Sequence, residues 1–216
     1  MIKFEKTEVF NFEGAIRGMR NPLNSWDKLD SFFSYDYTSS DRHNERYKVE
    51  EIGDNDLDRM KKLIKGGPDH RKFMRQIFIS VDITAPLYWW KEFDTYKVGT
   101  VSNSCSTMHT IQAKEFTLDD FSCEHLDTDG LILLEEIVTR LNIYRDEFNK
   151  YKVKSDWWNM IQLLPTSYNQ KRTVTMSYEN VYNIRHSQRA THKLDEWRIG
   201  FMDWIKSLPY AEELLE

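Results

Sequence analysis

The spacing of apolar residues predicts helices and strands in alternation along most of the chain. The clearest helix runs from Leu131 to Lys150, where apolar side chains recur every three or four residues. A buried strand is predicted from Gln76 to Ile83, because this segment is rich in β-branched residues. The other predicted elements are an edge strand at Ile2–Phe12, helices at Asp56–Lys65, Pro86–Tyr96, 155–163 and Tyr178–Lys206, and an extended segment at Arg172–Met176.

This order of elements predicts an α/β or α+β fold without a repeated βαβ unit. The length of 216 residues favours a single domain over positions 1–216. The segment from Ser31 to Glu51 is polar and aromatic, and we expect it to be a flexible loop. Gly99 to Ser106 consists mostly of small and polar residues, so we expect a second loop there.

Composition and charge narrow the classes of function. The net charge of −5 argues against general binding of DNA or RNA, which is typical of basic domains. No apolar run approaches the ~20 residues that a membrane helix needs. The two cysteines, Cys105 and Cys123, indicate a reducing compartment such as the cytoplasm. The 7 Trp, 11 Tyr and 12 Phe residues suit a packed core, and they would also suit stacking on flat ring systems.

Three short patterns are candidates for chemistry. Asp127-Thr128-Asp129-Gly130 resembles the start of a calcium loop, but its glycine comes two positions too early, so a capped turn without metal is favoured. Arg185, Arg189 and His192 would share one face of a continuous helix, which could bind a phosphate or could simply be solvated. Cys105 lies among small polar residues, where a nucleophile would be accessible. The usual dinucleotide, P-loop and serine-hydrolase motifs are absent from the sequence.

Three longer stretches, taken together, match one pattern. They are Gly67-Pro68-Asp69-His70 with the segment Ile77–Tyr88, Trp90-Lys91-Glu92-Phe93 with the loop to His109, and Leu164–Arg198, which holds His192, Glu196 and Arg198. In this order they resemble the flavin-dependent thymidylate synthases, the ThyX family. That family has a histidine ahead of a buried strand, an arginine-rich signature after it, and a long C-terminal helix. The resemblance covers the chain from about Gly53 to Pro209.

The resemblance implies a thymidylate synthase-complementing-protein-like fold, with a central mixed sheet flanked by long helices. It implies a homotetramer that binds FAD between subunits and methylates dUMP to dTMP, with methylenetetrahydrofolate and NADPH as co-substrates. The residues carried over to flavin binding are His70, Lys97, Asn183 and His192. Those carried over to the nucleotide side are Glu92, Asn103, Cys105, Arg185 and Arg189.

The sequence also departs from the family at positions that matter for binding. The family's arginine-histidine-arginine triplet falls on Thr95-Tyr96-Lys97, and its preceding glutamine falls on Glu92. The helix arginine that binds the nucleotide phosphate falls on Gln188, with Arg189 next to it. Each lost arginine–phosphate bond is worth about 1.5–3 kcal/mol. The alternatives are therefore a changed nucleotide reaction, or a non-catalytic homologue that binds a nucleotide or a protein as sensor, sponge or scaffold.

Overall fold

The computed structural model describes residues 2–36 and 46–216, without the side chains of residues 35–36 and 46–50. Its contacts divide the chain into two compact units, each described by itself below. The single domain expected from the length stays a prediction. Within the described residues, no helix is both long and apolar enough to cross a membrane. Unit 1 comprises Met1–Glu5, Asp82–Lys97 and Ser102–Thr173, and unit 2 comprises Lys6–Val81, Val98–Val101 and Val174–Glu216.

Six strands are present in the described part of the chain, and four of them form the main sheet. Its order is β1-β4-β6-β5, and neighbouring strands are antiparallel, so the sheet is not mixed as the resemblance implied. Strands β2 and β3 form a separate antiparallel pair. The strands are β1 (Lys3–Phe10), β2 (Phe32–Asp36), β3 (Arg46–Glu51), β4 (Phe78–Pro86), β5 (Val101–Ser104) and β6 (Asn169–Ser177).

Nine α-helices lie within the described residues, together with short 3₁₀ segments and one turn of π-helix at Glu196–Phe201. The mixture of helices and one main sheet confirms the predicted α/β (α+β) class. The helices are α1 (Phe12–Arg20), α2 (Asp54–Lys65), α3 (Leu87–Phe93), α4 (Thr107–Thr110), α5 (Thr128–Tyr151), α6 (Lys154–Leu163), α7 (Tyr178–Arg185), α8 (Met202–Lys206) and α9 (Ala211–Leu214).

In unit 1, helices α5 and α6 pack on one apolar cluster. The buried residues of α5 follow the helical repeat, so a single face of this long helix enters the core. Asp127 caps α5 by accepting a hydrogen bond from the Gly130 N–H, which confirms the capped turn. The fully or almost fully buried members of the cluster are Ile111, Phe116, Phe121, Leu134, Val138, Leu141 and Met160.

In unit 2, helix α1 was missed by the sequence analysis. Gly14 and Gly18 lower its helix propensity, yet the helix forms because one face is buried. Its last residue, Arg20, makes an ion pair of 2.7 Å with Asp56 of α2, and the two side chains are 4% and 0% exposed. The other buried residues of α1 are Phe12, Ala15, Ile16 and Met19.

Two segments expected to be loops contain strands. The ends of the Ser31–Glu51 segment form β2 and β3, while residues 37–45 lie outside the described part of the chain. Val101–Ser104 forms β5, although all four residues are exposed, because the neighbouring strand β6 supplies its backbone partners. Both segments therefore form strands because they pair with a neighbouring strand. The pattern of apolar residues along the sequence does not indicate this pairing.

Candidate functional site

A carboxylate bound by two arginines forms the first candidate site, in unit 2. Arg71 donates from Nε to Oε1 of Glu179 over 3.2 Å, and Arg75 donates to both carboxylate oxygens of the same residue. Arg71 also donates to Oδ1 of Asn183 over 3.0 Å, and its guanidinium lies 4.4 Å from the centre of the Tyr182 ring. We call these five residues the Glu179 cluster. It brings Asn183 together with four residues that the sequence analysis did not connect to it.

Two local structures place the Glu179 cluster. Helix α7 begins with a capping box, in which the Ser177 and Asn180 side chains each bond to the backbone of the other residue. Glu179 therefore lies in the first turn of α7, where the partial positive charge of the helix end favours a carboxylate. Arg71 comes from the chain reversal after α2, where Gly67 has a φ of +94° that suits glycine.

His70 lies in the same reversal, next to Arg71, and it is exposed. Its ring rests on Gly66, where a Cβ atom would come within 3.1 Å of three His70 atoms. A larger residue at position 66 would therefore displace the ring. The side chain of the predicted flavin-binding histidine thus packs against the backbone at Gly66.

His186 borders the Glu179 cluster from the C-terminal end of α7. Its ring lies 4.1 Å from that of Tyr182, centre to centre. Burial lowers the pKa of His186, and the positive charges of Arg185 and Arg71 lower it further. The neutral imidazole is therefore the form that the folded protein favours.

The predicted cationic face at Arg185, Arg189 and His192 is not formed, because α7 ends at Arg185. Arg185 donates to Oε1 of Glu216 over 3.2 Å. Arg189 lies in a 3₁₀ turn, with its guanidinium 4.6 Å from the centre of the buried Trp197 ring. His192 follows that turn, and its Nδ1 accepts a hydrogen bond from the Leu194 N–H over 3.1 Å. The three side chains therefore have separate local partners.

In unit 1, helix α3 places Glu92 and leads to Lys97. The N–H groups of Leu87 and Tyr88 donate to carbonyls at Tyr168 and Thr166, so the start of the helix is fixed. Glu92 is partly buried, and Lys97 lies beyond the helix with an exposed side chain. The buried face of α3 holds Trp89, Trp90 and Phe93, which are in ring contact with one another and belong to the core.

A cavity of about 400 Å³ forms the second candidate site and lies wholly in unit 1. Asn103 is exposed on β5, and Cys105 follows that strand with an exposed thiol that lines the cavity. The Cys105 backbone is held on both sides: its N–H donates to the Lys171 carbonyl, and its carbonyl accepts from Nε2 of Gln170. We call this space the Cys105 cavity. Its other polar wall residues include Thr107, Thr110, Lys114 and Tyr168.

The wall of the Cys105 cavity carries both an ion pair and a phenol. Lys114 and Asp120 are 2.6 Å apart, and this bond raises the pKa of the lysine. Burial raises the pKa of the Tyr168 phenol, and the Asp120 carboxylate adds to the effect. The cavity therefore offers a neutral hydroxyl, a lysine ammonium and a thiol to a ligand. Its volume is within the range of small-molecule sites in proteins.

The structure thus brings some predicted residues together and leaves others apart. Within unit 2, Asn183 contacts Arg71, the neighbour of His70, whereas Arg185, Arg189 and His192 have other partners. Arg71, Arg75 and the lysine–tyrosine wall of the cavity were missed. Arg71 and Glu179 lie 108 positions apart, so no local sequence pattern could indicate that they are in contact. Among the described residues, no group of three or more His, Cys, Asp or Glu is placed to hold a metal ion.

The comparisons with known proteins find similarity in structure alone. No protein-family model matches the chain, and a search of the curated proteins finds no relative. Two solved structures of thymidylate synthase X (ThyX) from Helicobacter pylori, both with FAD and dUMP, match all of this chain. One has a TM-score of 0.64 at 14% identity over 96% of that chain, and the other 0.68 at 12% identity over 97%.

At this level of identity the match establishes the fold. The chain has a ThyX-like fold, and the resemblance read from the three sequence stretches is confirmed at that level. Its sequence is only 12–14% identical to that of the bacterial enzyme.

Proposed function

We propose that the chain is a diverged, flavin-dependent relative of thymidylate synthase. It would bind FAD and methylate dUMP to dTMP with methylenetetrahydrofolate and NADPH, or carry out a related nucleotide modification. The observation that carries the proposal is the match over the full chain to two ThyX structures that contain FAD and dUMP. The free thiols of Cys105 and Cys123 are compatible with a reducing, cytoplasmic location. We propose a homotetramer on the same resemblance.

The residues proposed for the flavin have suitable chemistry. His70 and His192 offer imidazoles, Asn183 an amide and Lys97 an ammonium, and these groups suit the carbonyls, ring nitrogens and phosphates of FAD. His70, Lys97 and Asn183 are exposed, and His192 is partly exposed. When bound, FAD would supply the redox chemistry. These residues would bind and orient it.

The residues proposed for the nucleotide side fall into two groups. Glu92, Asn103 and Cys105 belong to unit 1, and Cys105 lines a cavity large enough for a small molecule. Arg185 and Arg189 belong to unit 2, and each already has a local contact, with Glu216 and Trp197. The nucleotide would therefore have to compete with Glu216 for Arg185.

The proposal is tested by the visible spectrum of the purified protein and by titration with FAD, with and without dUMP. We expect Lys97→Ala and His70→Ala each to weaken FAD binding about tenfold, the equivalent of one charge-assisted hydrogen bond. Lys65→Ala, at the exposed end of α2, is the control and should bind FAD as the wild type does. If both variants retain full flavin affinity, the residue assignment is wrong.

A second candidate function is a non-catalytic homologue that binds a nucleotide or a protein as sensor, sponge or scaffold. The specific observation in its favour is that Arg71 and Arg75 bind Glu179 and Arg185 binds Glu216. Arginines in such pairs are less available to a phosphate. An absence of flavin binding at high micromolar FAD, and of dUMP-dependent NADPH oxidation, would favour this candidate.

A further inference from the structure

Helix α5 carries an apolar stripe on the side opposite its buried face. Ile132, Leu133 and Ile143 are 50%, 57% and 45% exposed, although they are large and apolar. They line an open groove of about 590 Å³ that Leu163 of α6 borders. Exposed apolar groups that cluster in this way commonly mark a contact with another molecule.

Between its apolar residues the groove is lined by Glu135, Glu136 and Arg140, of which Glu136 and Arg140 lie one helical turn apart on the same face of α5. Glu136 and Arg140 are exposed and line the same groove. Neither forms an ion pair within the described part of the chain. Along this one face of the helix the order is therefore apolar, acidic, basic, apolar, and Glu135 lies to the side of it. We call Ile132, Leu133, Glu136, Arg140 and Ile143 the outer stripe of α5.

The outer stripe of one α5 helix is complementary to the outer stripe of a second copy that runs in the opposite direction. Two α5 helices that run antiparallel about a two-fold axis at the level of residue 138 would place Glu136 opposite Arg140 twice. The same register would place Leu133 opposite Ile143 twice. A parallel pair would instead place Glu136 against Glu136 and Arg140 against Arg140. Only the antiparallel pair satisfies both the charges and the apolar groups.

We infer that the outer stripe of α5 binds a second copy of this chain, with the two helices antiparallel. A two-fold contact uses the same surface on both copies, so its residues must be complementary to themselves. The register also brings Asp129 opposite Glu147 at the exposed ends of the pair, where salt screens their repulsion. The inference assigns a surface to the self-association proposed above, and it does not depend on flavin binding.

The test measures association of the full chain by sedimentation velocity over a range of concentrations, without flavin or nucleotide. Glu136→Arg and Arg140→Glu each create two like-charge contacts per pair, and we expect each to weaken association at least tenfold. The double variant Glu136→Arg with Arg140→Glu exchanges the charges and should restore association. Leu133→Glu should weaken association at least as much as either single charge reversal.

The controls separate this surface from general effects of charge and folding. Glu212→Arg changes the net charge as Glu136→Arg does, but it lies in α9 of unit 2, and it should associate like the wild type. Circular dichroism should show the same helix content in every variant. A wild-type monomer at 100 µM or above, or single reversals with unchanged association, would overturn the inference. Flavin titration is a separate measurement, so a failure of the proposed function would not be mistaken for a failure of this contact.

Discussion

Two carboxylates in unit 2 bind arginines in similar positions but in different surroundings. Asp56 and Glu179 both lie in the first turn of a helix, α2 and α7. The Asp56 side chain is 0% exposed and that of its partner Arg20 is 4% exposed. The Glu179 side chain is 11% exposed, and Arg75 is half-exposed. The arginine–carboxylate pair at Asp56 is therefore part of the core, whereas the pair at Glu179 borders solvent.

The hydrogen bonds sharpen this difference. Oδ2 of Asp56 accepts from the backbone N–H groups of Asp30 and Ser31 and from the Ser31 hydroxyl, while Oδ1 accepts from Arg20. The Asp56 carboxylate is thus bound by two backbone N–H groups, the Ser31 hydroxyl and one buried guanidinium, so it holds α1, α2 and the start of β2 in place. Glu179 binds two guanidiniums that an anion could also bind. The first arrangement stabilises the fold, and the second can respond to a ligand.

The largest effect is expected from Asp56→Asn. The substitution leaves the Arg20 charge buried without a counter-charge and turns an amide N–H group toward existing donors. We expect the free energy of unfolding to fall by about 3–5 kcal/mol, the usual cost of breaking a buried ion pair. Urea unfolding measures it. Asp58→Asn, on an exposed position of the same helix, should change it by less than about 0.5 kcal/mol. Equal effects of the two variants would contradict a structural role for Asp56.

The difference between these two sites shows what the sequence could and could not predict. The predicted boundaries of α5 lie within three residues at either end, because its apolar repeat is long and continuous. Helix α1 was missed because its two glycines concealed an apolar face that only packing reveals. The family resemblance predicts His70 and Asn183 as flavin-binding residues, but it gave no sign of Arg71 and Arg75, which contact Glu179 across 108 and 104 positions. Contacts between such distant positions depend on the fold and leave no local pattern.

The next largest effect is expected from Glu179→Gln. The loss of a carboxylate that binds two arginines should lower the free energy of unfolding by about 1–3 kcal/mol, less than for Asp56 because solvent reaches Arg75. The same variant frees positive charge, so we expect tighter binding of inorganic phosphate, measured by calorimetry at low salt. Glu212→Gln changes the net charge equally on an exposed position and is the control. Weaker phosphate binding in Glu179→Gln would show that Glu179 positions the arginines and does not compete with the anion.

The smallest effect is a dependence on pH that arises beside the Glu179 cluster. Burial and the charges of Arg185 and Arg71 hold the pKa of His186 below its ordinary value of 6.5, so the unfolded chain binds its proton more readily than the folded one. Stability should therefore be lost as pH falls from about 6.5 through the folded-state pKa. One group contributes at most about 1.4 kcal/mol per pH unit. Urea unfolding between pH 7.5 and 5 measures the slope, which His186→Gln should reduce and which His109→Gln, at an exposed site in unit 1, should not. If the free energy of unfolding of His186→Gln has the same slope with pH as the wild type, the proton that is bound on unfolding is bound by another group. The Glu179 cluster would then be as insensitive to pH as a purely structural ion pair.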